Sequence, residues 1–406
     1  MKDITHLSFY NLILIRYNEI WLKSRKIKIR MLNALMKNAK NMLNRSLIPF
    51  NKYHLSKDSS RIFFFFKNEN IPKAMEIIEK VFGIYSFSPA LRTSNNLKNI
   101  TERAIEVGNE ILKKGDTFAI RVKRSGKHDF SSQDVAVKVG QAIRDHFNDL
   151  ELKVNLSNPY KKIYIEVRDE FSYIFTDIIK SKWGGLPTEF RKKILVIDIG
   201  RTQDLLAGFL LMRRGAQIYP ILFDLTKNDE LFEKWISNWK EVFTYTPQLK
   251  FTIRKIDLYM LLDNIISKIS EGEYVCAICR LVRFDIISKM IKELNIKDLK
   301  EIRAITDGVN LNNLTSCFDD VDLESIAFNY FFSEYPIFTP IIGLGSSEIK
   351  QFLKKLSPSI RNLNYCRFKP KNQEIDAKKL KSLYDSLDLN ELIKECMNNL
   401  VEIKIS

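Results

Sequence analysis

A short run at residues 183–187, WGGLP, divides this chain of 406 residues into two parts with different rhythms. Two adjacent glycines followed by a proline favour a linker over the interior of a helix or strand. Beyond it, apolar strands alternate with helical segments: KILVID (193–198), a helix over 203–214 ended by Gly215, AQIYPILFDL (216–225), a helix over 229–242, and KFTIRKIDL (250–258). That alternation predicts a doubly wound parallel α/β domain with its ligand site at the carboxyl ends of the strands. Before the break the order is mixed. An apolar strand in NLILIRYNEIWL is followed by a helix over 26–43 with Ile29, Leu32, Leu35 and Met36 on one side. NKYHLS and RIFFFFK are strands around the turn-forming KDSS, 72–82 is a helix, and IYSFSPALRT is extended. Strand, helix, strand, strand, helix, strand is the order of a ferredoxin-like α+β domain. The next unit starts with a helix over 100–114 and the strand FAIRVKRS. A helix capped by Ser131 or Ser132 then runs to Phe147, and KVNLS and KIYIEVRDE are expected to pair across the NPYK turn.

Charge is distributed as unevenly as rhythm. The chain carries 65 Lys and Arg against 49 Asp and Glu, and residues 1–90 alone hold a surplus of 10, against 2 beyond residue 187. Arg16, Lys23, Arg25, Lys26, Lys28 and Arg30 are opposed in their stretch only by Glu19. A uniformly Lys-rich surface would not leave the C-terminal part near neutral, so the N-terminal third reads as the electrostatic footprint of a polyanion. No apolar run approaches the ~20 residues of a membrane span, which excludes a helical membrane protein. No basic segment followed by a long apolar stretch opens the chain. Five cysteines are too few for a disulfide scaffold, so a reduced, cytoplasmic setting is expected. All four histidines fall in the first 150 residues, which argues against a Ser–His triad or a His-ligated zinc in the C-terminal part.

Several segments, in order, resemble the tRNA 4-thiouridine synthetases, or tRNA sulfurtransferases. IRYNEIWLKS (15–24) is similar to their N-terminal signature. VKRSGKHDFSS (122–132), VNLSNP (154–159) and IEVRDE (165–170) resemble parts of their THUMP RNA-binding domain. WGGLP resembles their interdomain junction, and LLAGFLLMRRG (205–215), CAICR (276–280), PIIGL (340–344) and NYCRF (364–368) follow in family order. The resemblance implies a ferredoxin-like domain over 1–90, a THUMP domain over 91–183 and a PP-loop domain, akin to the adenine nucleotide alpha hydrolases, over 188–406. It implies tRNA and a sulfur donor as partners, a homodimer as the assembly, and no membrane. Arg16, Lys23, Arg121, Lys123, Arg124 and Lys127 are the expected RNA contacts, Arg121 and Lys123 sharing one face of their strand.

The same alignment exposes a departure. Where the family has S-G-G-x-D-S to cradle pyrophosphate, this chain reads IGRTQD at 199–204. Gly200, Arg201, Thr202 and Asp204 are the residues left to meet ATP and Mg²⁺. Arg201 is either a phosphate grip or a surface charge, and Asp204 restores a carboxylate one residue late. TDGVNLNNLTSC (306–317), the other nucleotide-side segment, keeps only Thr306 and Thr315 in register. The cysteines are intact. Cys276 and Cys279 form C-x-x-C just before an expected helix, and the resemblance makes them, with Cys366, ligands of an iron–sulfur cluster. Cys366 also stands where bacterial relatives place a sulfur-carrying cysteine. Their alternative is that of buried small hydrophobes, which is the reading for Cys317 and Cys396. Two functions stand open: ATP-dependent thiolation of uridine in tRNA with Cys366 as the catalytic thiol, or tRNA binding by a relative that has lost adenylation.

Overall fold

The protein, here as a computed structural model, is described over residues 10–294, 296–310, 328–363, 366 and 376–405. It divides into two compact units, Met1–Pro187 and Thr188–Ser406.

The first unit is built on one continuous sheet. Strands β1 (Leu12–Arg16), β2 (Lys52–Leu55), β3 (Ile62–Phe65) and β4 (Ser86–Ser94) enclose helices α1 (Arg25–Arg45) and α2 (Ile71–Ile78) in sequence. Helix α3 (Leu97–Ile111), β5 (Thr117–Arg124), α4 (Ser132–His146), β6 (Lys153–Val154), β7 (Lys161–Val167) and β8 (Phe171–Phe175) follow, with β9 (Ile179–Lys180) beside β4. The strand order is β2-β3-β1-β4-β8-β7-β5-β6. Strand β4 crosses residues 90 and 91, pairing with β1 through its first half and with β8 through its last four residues. It therefore belongs to the ferredoxin-like and THUMP parts at once. Helix α1 buries Met31, Leu32, Leu35, Ala39, Met42 and Leu43 at helical spacing, with Met36 at the margin and Ile29, expected on the same side, exposed before the core begins. Ser131 caps α4 in a reciprocal box with Asp134.

The expected hairpin across NPYK does not form. β6 and β7 both pair in parallel with β5, one on each side of it. The partner of β7 on its other side is β8, a strand that RDEFSYIF hid behind a charged start.

Alternation along β1 sends Ile13 and Ile15 into the core shared with α1 and α2, and Leu12 and Leu14 into a second core with Phe63, Phe65, Ala90, Tyr173 and Phe175. Three strand spacings, about 14 Å in a flat sheet, separate β3 from β8, yet the Phe63 and Tyr173 rings stack at 4.4 Å. The sheet is curled until this face closes on itself.

In the second unit, β10 (Lys193–Asp198), α5 (Thr202–Arg213), β11 (Gln217–Asp224), α6 (Asp229–Phe243), β12 (Phe251–Asp257), α7 (Tyr259–Lys268), α8 (Val275–Glu293) and β13 (Ile302–Thr306) realise the alternation. With β14 (Ile337–Phe338) and β15 (Val401–Ile405) the sheet order is β14-β13-β10-β11-β12-β15, parallel throughout except for β15. Strand order turns at β10, which has β11 on one side and β13 on the other. The carboxyl ends of β10 and β13 are thus the topological switch point, where such sheets bind ligands.

Candidate functional site

Chain flow at the switch point passes from Asp198 through Ile199, Gly200 and Arg201 into α5. Gly200 has φ +87°, a left-handed turn that favours glycine, and its N–H donates to Asp198 Oδ1 at 2.8 Å. Asp198 is buried, and its other oxygen accepts from Trp235 Nε1 at 2.9 Å and Trp239 Nε1 at 2.7 Å, both on α6. Burial, and then the charge of Asp204, push its carboxyl up to about 7.

Asp204, in the first turn of α5, folds its carboxylate back over the helix start. Oδ2 accepts from Ile199 N at 3.2 Å and Arg201 Nε at 3.0 Å, and Oδ1 from Gly308 N at 2.9 Å. Gly308 belongs to TDGVN, the other altered segment, so the two altered stretches are packed on each other. A Cβ on Gly308 would lie 2.4 Å from Asp204 N, so this approach requires glycine. Next to it Asp307 pairs with Arg280 of α8 at 2.7 Å; burial lowers the Arg280 guanidinium to about 10 against the pull of that carboxylate. Asn310 donates to Ile341 O at 2.9 Å, which ties the PIIGL segment to the same corner. A helix start with backbone N–H groups aimed inward is the usual seat for an external anion. Here two N–H groups of the loop leading into the helix are taken by the chain's own carboxylates, Ile199 N by Asp204 and Gly200 N by Asp198. Arg201 is corrected from a surface charge: it is buried, and its guanidinium lies on Asp204. Thr202 is half-buried at the first position of α5, beside Gln203.

Cys276 and Cys279 lie within the first two turns of α8 rather than ahead of it. Spaced by three, they face the same way and line one largely apolar pocket with Cys366, Ile199 and Arg283. Leu363 N donates to Gly200 O at 2.7 Å, pinning the segment that leads to Cys366 against the loop. Cys276 and Cys279 are buried and Cys366 is half-buried. They converge without closing: among the described residues no group of three or more His, Cys, Asp or Glu is placed to hold a metal ion. Cys396 is buried, its Sγ donates to Asp257 O at 3.3 Å, and burial pushes its thiol up to about 11, which fits an inert core residue. Cys317 and Thr315 lie outside the described residues.

Among the expected RNA contacts, Lys23, Arg121, Lys123, Arg124 and Lys127 are exposed. Arg121 donates to Leu156 O and Arg124 to His128 O, so both keep charge at the surface on a braced stem. Arg16 is different. Its Nη2 meets Glu166 Oε1 at 3.0 Å and its Nη1 the Ser88 hydroxyl at 3.0 Å. Arg61 and Arg168 bind the same carboxylate, at 3.0 and 2.8 Å, and Arg168 reaches on to Asp58. Burial would raise the Glu166 carboxyl, but the three guanidiniums, Arg61 foremost, hold it down to about 2. The arginine of IRYNEI and the glutamate of IEVRDE are thus two halves of one buried clamp. Arg16 is corrected from an RNA contact to a structural one. Asp198, the indole pair Trp235 and Trp239, and Gly308 were not singled out from sequence; an acid ending an apolar strand and tryptophans four apart were their only traces.

Three family models match consecutive parts of the chain: the ThiI ferredoxin-like domain over 12–88, the THUMP domain over 94–177, and Thiamine biosynthesis protein (ThiI) over 197–389. The chain belongs to the tRNA sulfurtransferase family. A probable tRNA sulfurtransferase of Methanosarcina acetivorans is 28% identical over 392 residues, covering 94% of this chain and 89% of its own. Another, from Saccharolobus islandicus, is 29% identical over 395 residues, covering 95% and 94%. A solved 4-thiouridine synthetase–RNA complex with bound ATP superposes with a TM-score of 0.78 at 19% identity, covering 98% of this chain and 100% of that one. A Pyrococcus horikoshii structure gives 0.64 at 24%, covering 85% and 99%. These two likenesses speak for the fold. The likeness to the 4-thiouridine synthetase fold extends over nearly the whole chain. No helix among the described residues is long and apolar enough to cross a membrane.

Proposed function

We propose that this chain binds tRNA through its first unit and acts in the ATP-dependent thiolation of a uridine to 4-thiouridine, with sulfur delivered from the cysteine pocket of its second. The observation that carries this reading is the convergence of Cys276, Cys279 and Cys366 on one pocket that also touches Ile199 of the switch-point loop. Activation of uridine O4 and delivery of sulfur must occur within a few ångströms of each other, and this pocket abuts the loop where the family activates. Arg283 lines it and donates from Nε to Cys279 O at 3.3 Å, which keeps a positive charge where a thiolate or persulfide would form. Cys366, half-buried, is the thiol proposed to carry sulfur. Should iron and sulfide enter, the same three thiols are the ligands available; such a centre would hold sulfide at an iron without a protein ligand. A sulfur-donor protein, a second copy of the chain and a cytoplasmic setting complete the proposal. The test is mass analysis of tRNA after incubation with anaerobically purified protein, ATP and Mg²⁺, with sulfide in one reaction and a persulfide donor, whose sulfane sulfur can pass to the Cys366 thiol, in another, and with iron measured alongside. Thiolated uridine that disappears in Cys366→Ser supports the reading. Unmodified tRNA under all conditions defeats it.

A second reading has its own observation, the Asp204 carboxylate seated on the loop donors. It favours a tRNA-binding relative without nucleotide activation. Calorimetry with ATP and Mg²⁺, alone and with tRNA, separates the two. Micromolar ATP binding with thiolation sinks the second reading; tRNA binding without either sinks the first.

A further inference from the structure

We propose that Trp21 is a stacking platform for an unpaired base of the RNA ligand, with Lys23, Arg25, Lys26 and Lys28 as the phosphate contacts beside it. The inference rests on the tRNA-binding reading and assigns a site within it. A short 3-10 turn, Glu19–Leu22, sets the geometry. Its Ile20 is fully buried in the core under α1, while its neighbours point away: Trp21 is 56% exposed and Leu22 87%. The chain has four tryptophans, and Trp183, Trp235 and Trp239 are all buried. Only Trp21 is left largely in water, and it is fixed there. Trp21 N donates to Asn18 O at 2.9 Å, the Tyr17 ring lies 6.3 Å away, and Lys28 Nζ sits 3.7 Å from the centre of the indole.

Charge decides the class of ligand. Lys23, Arg25 and Lys26 are exposed, and no carboxylate pairs with them among the described residues. An aromatic face ringed by cations matches a ligand that repeats a π-face and an anion at each step, which is single-stranded nucleic acid. A bilayer surface also attracts basic residues with Trp and Leu, but it needs a helix whose apolar face is free to enter it. The apolar face of α1 is already spent on the core, through Met31, Leu32, Leu35 and Ala39. Arg121 and Lys123 on β5 supply exposed charge, which suits a phosphate backbone, whereas this corner adds an exposed indole, which suits a base.

The experiment uses the full chain and the unusual exposure of one indole. Acrylamide should quench Trp21 selectively, and saturating tRNA or oligo(U) should protect it. Trp21→Ala should weaken tRNA binding about tenfold, within the range of base–aromatic stacking, with an unchanged salt slope and an unchanged unfolding midpoint. Trp21→Phe should recover most of the affinity, and Lys26→Ala should instead reduce the salt slope by about one. If tRNA binds by gel shift while the indole stays open to acrylamide and Trp21→Ala binds as tightly as the wild type, the platform is wrong and tRNA binding survives. Failure of tRNA to bind at low salt overturns both. Binding of anionic vesicles that depends on Trp21, with tRNA affinity untouched by its loss, assigns the corner to lipid and overturns the proposal.

Discussion

Each unit buries an acid at its most distinctive motif, and the two acids are treated in opposite ways. In the first unit, three guanidiniums surround the single carboxylate of Glu166 and hold it far below the usual range. In the second, two carboxylates, Asp198 and Asp204, share a corner whose nearest guanidinium, Arg201, lies on Asp204. Asp198 is left with indole and backbone donors and is pushed up instead. The count of counter-charges, rather than burial itself, decides whether a buried acid is a permanent clamp or a group that takes up a proton.

The comparison breaks most visibly at Glu166. Glu166→Gln leaves Arg16, Arg61 and Arg168 buried around a neutral amide, and should cost the first unit about 3–5 kcal/mol. Hydrogen exchange of the β7 amides in the full chain would read it; a loss below about 1 kcal/mol would mean that water or rearranged partners compensate the arginines.

Gly308→Ala should have the next effect, about 1–3 kcal/mol confined to the second unit. The added methyl meets backbone at Asp204 and Gln203, which cannot swing aside, as well as the Asp204 carboxylate. Exchange protection should fall at the start of α5 and leave β7 unchanged.

The pH response separates the two acids by sign. Asp198 binds its proton more tightly folded than unfolded, so its stabilisation is complete below about pH 4 and is lost as pH rises through about 7. Glu166 is depressed, so its contribution is complete above about 4.5 and is lost only as pH falls toward 2. Between pH 4.5 and 7 the second unit should lose stability with rising pH, by at most about tenfold in its unfolding constant per pH unit, while the Glu166 clamp adds no slope to the first. Asp198→Asn should flatten the second unit's slope whatever it does to the absolute level. A slope that persists in that variant would move the proton elsewhere.

The smallest effects are expected at the surface. Lys123→Ala should weaken tRNA binding a few-fold and lower the salt slope by about one. Arg16→Ala should leave the salt slope alone and lower stability, because its charge is already consumed by Glu166. Equal salt-slope losses for the two would return Arg16 to the RNA contacts.

Much of this was readable from the sequence. The two rhythms on either side of WGGLP, the helices and most strands follow from local periodicity and caps, which depend on neighbours three or four residues away. The charge surplus of residues 1–90 and the order of the cysteines are likewise properties of the string. The register of β6 and β7 was not, because pairing with β5 is a competition among strands that local turns do not decide.

Residue roles divide along the same line. Which side chains are available is a property of the string: an arginine in IRYNEI, a glutamate in IEVRDE, an arginine and an aspartate in a loop that family likeness would fill with glycine and serine. Whether each faces outward or meets another residue of the chain depends on how distant segments pack. Arg16 and Glu166 are 150 residues apart, and Asp204 and Gly308 are 104 apart. A charge's meaning depends on what lies within a few ångströms of it, and for Glu166 and Asp204 part of that neighbourhood comes from a distant stretch of the chain.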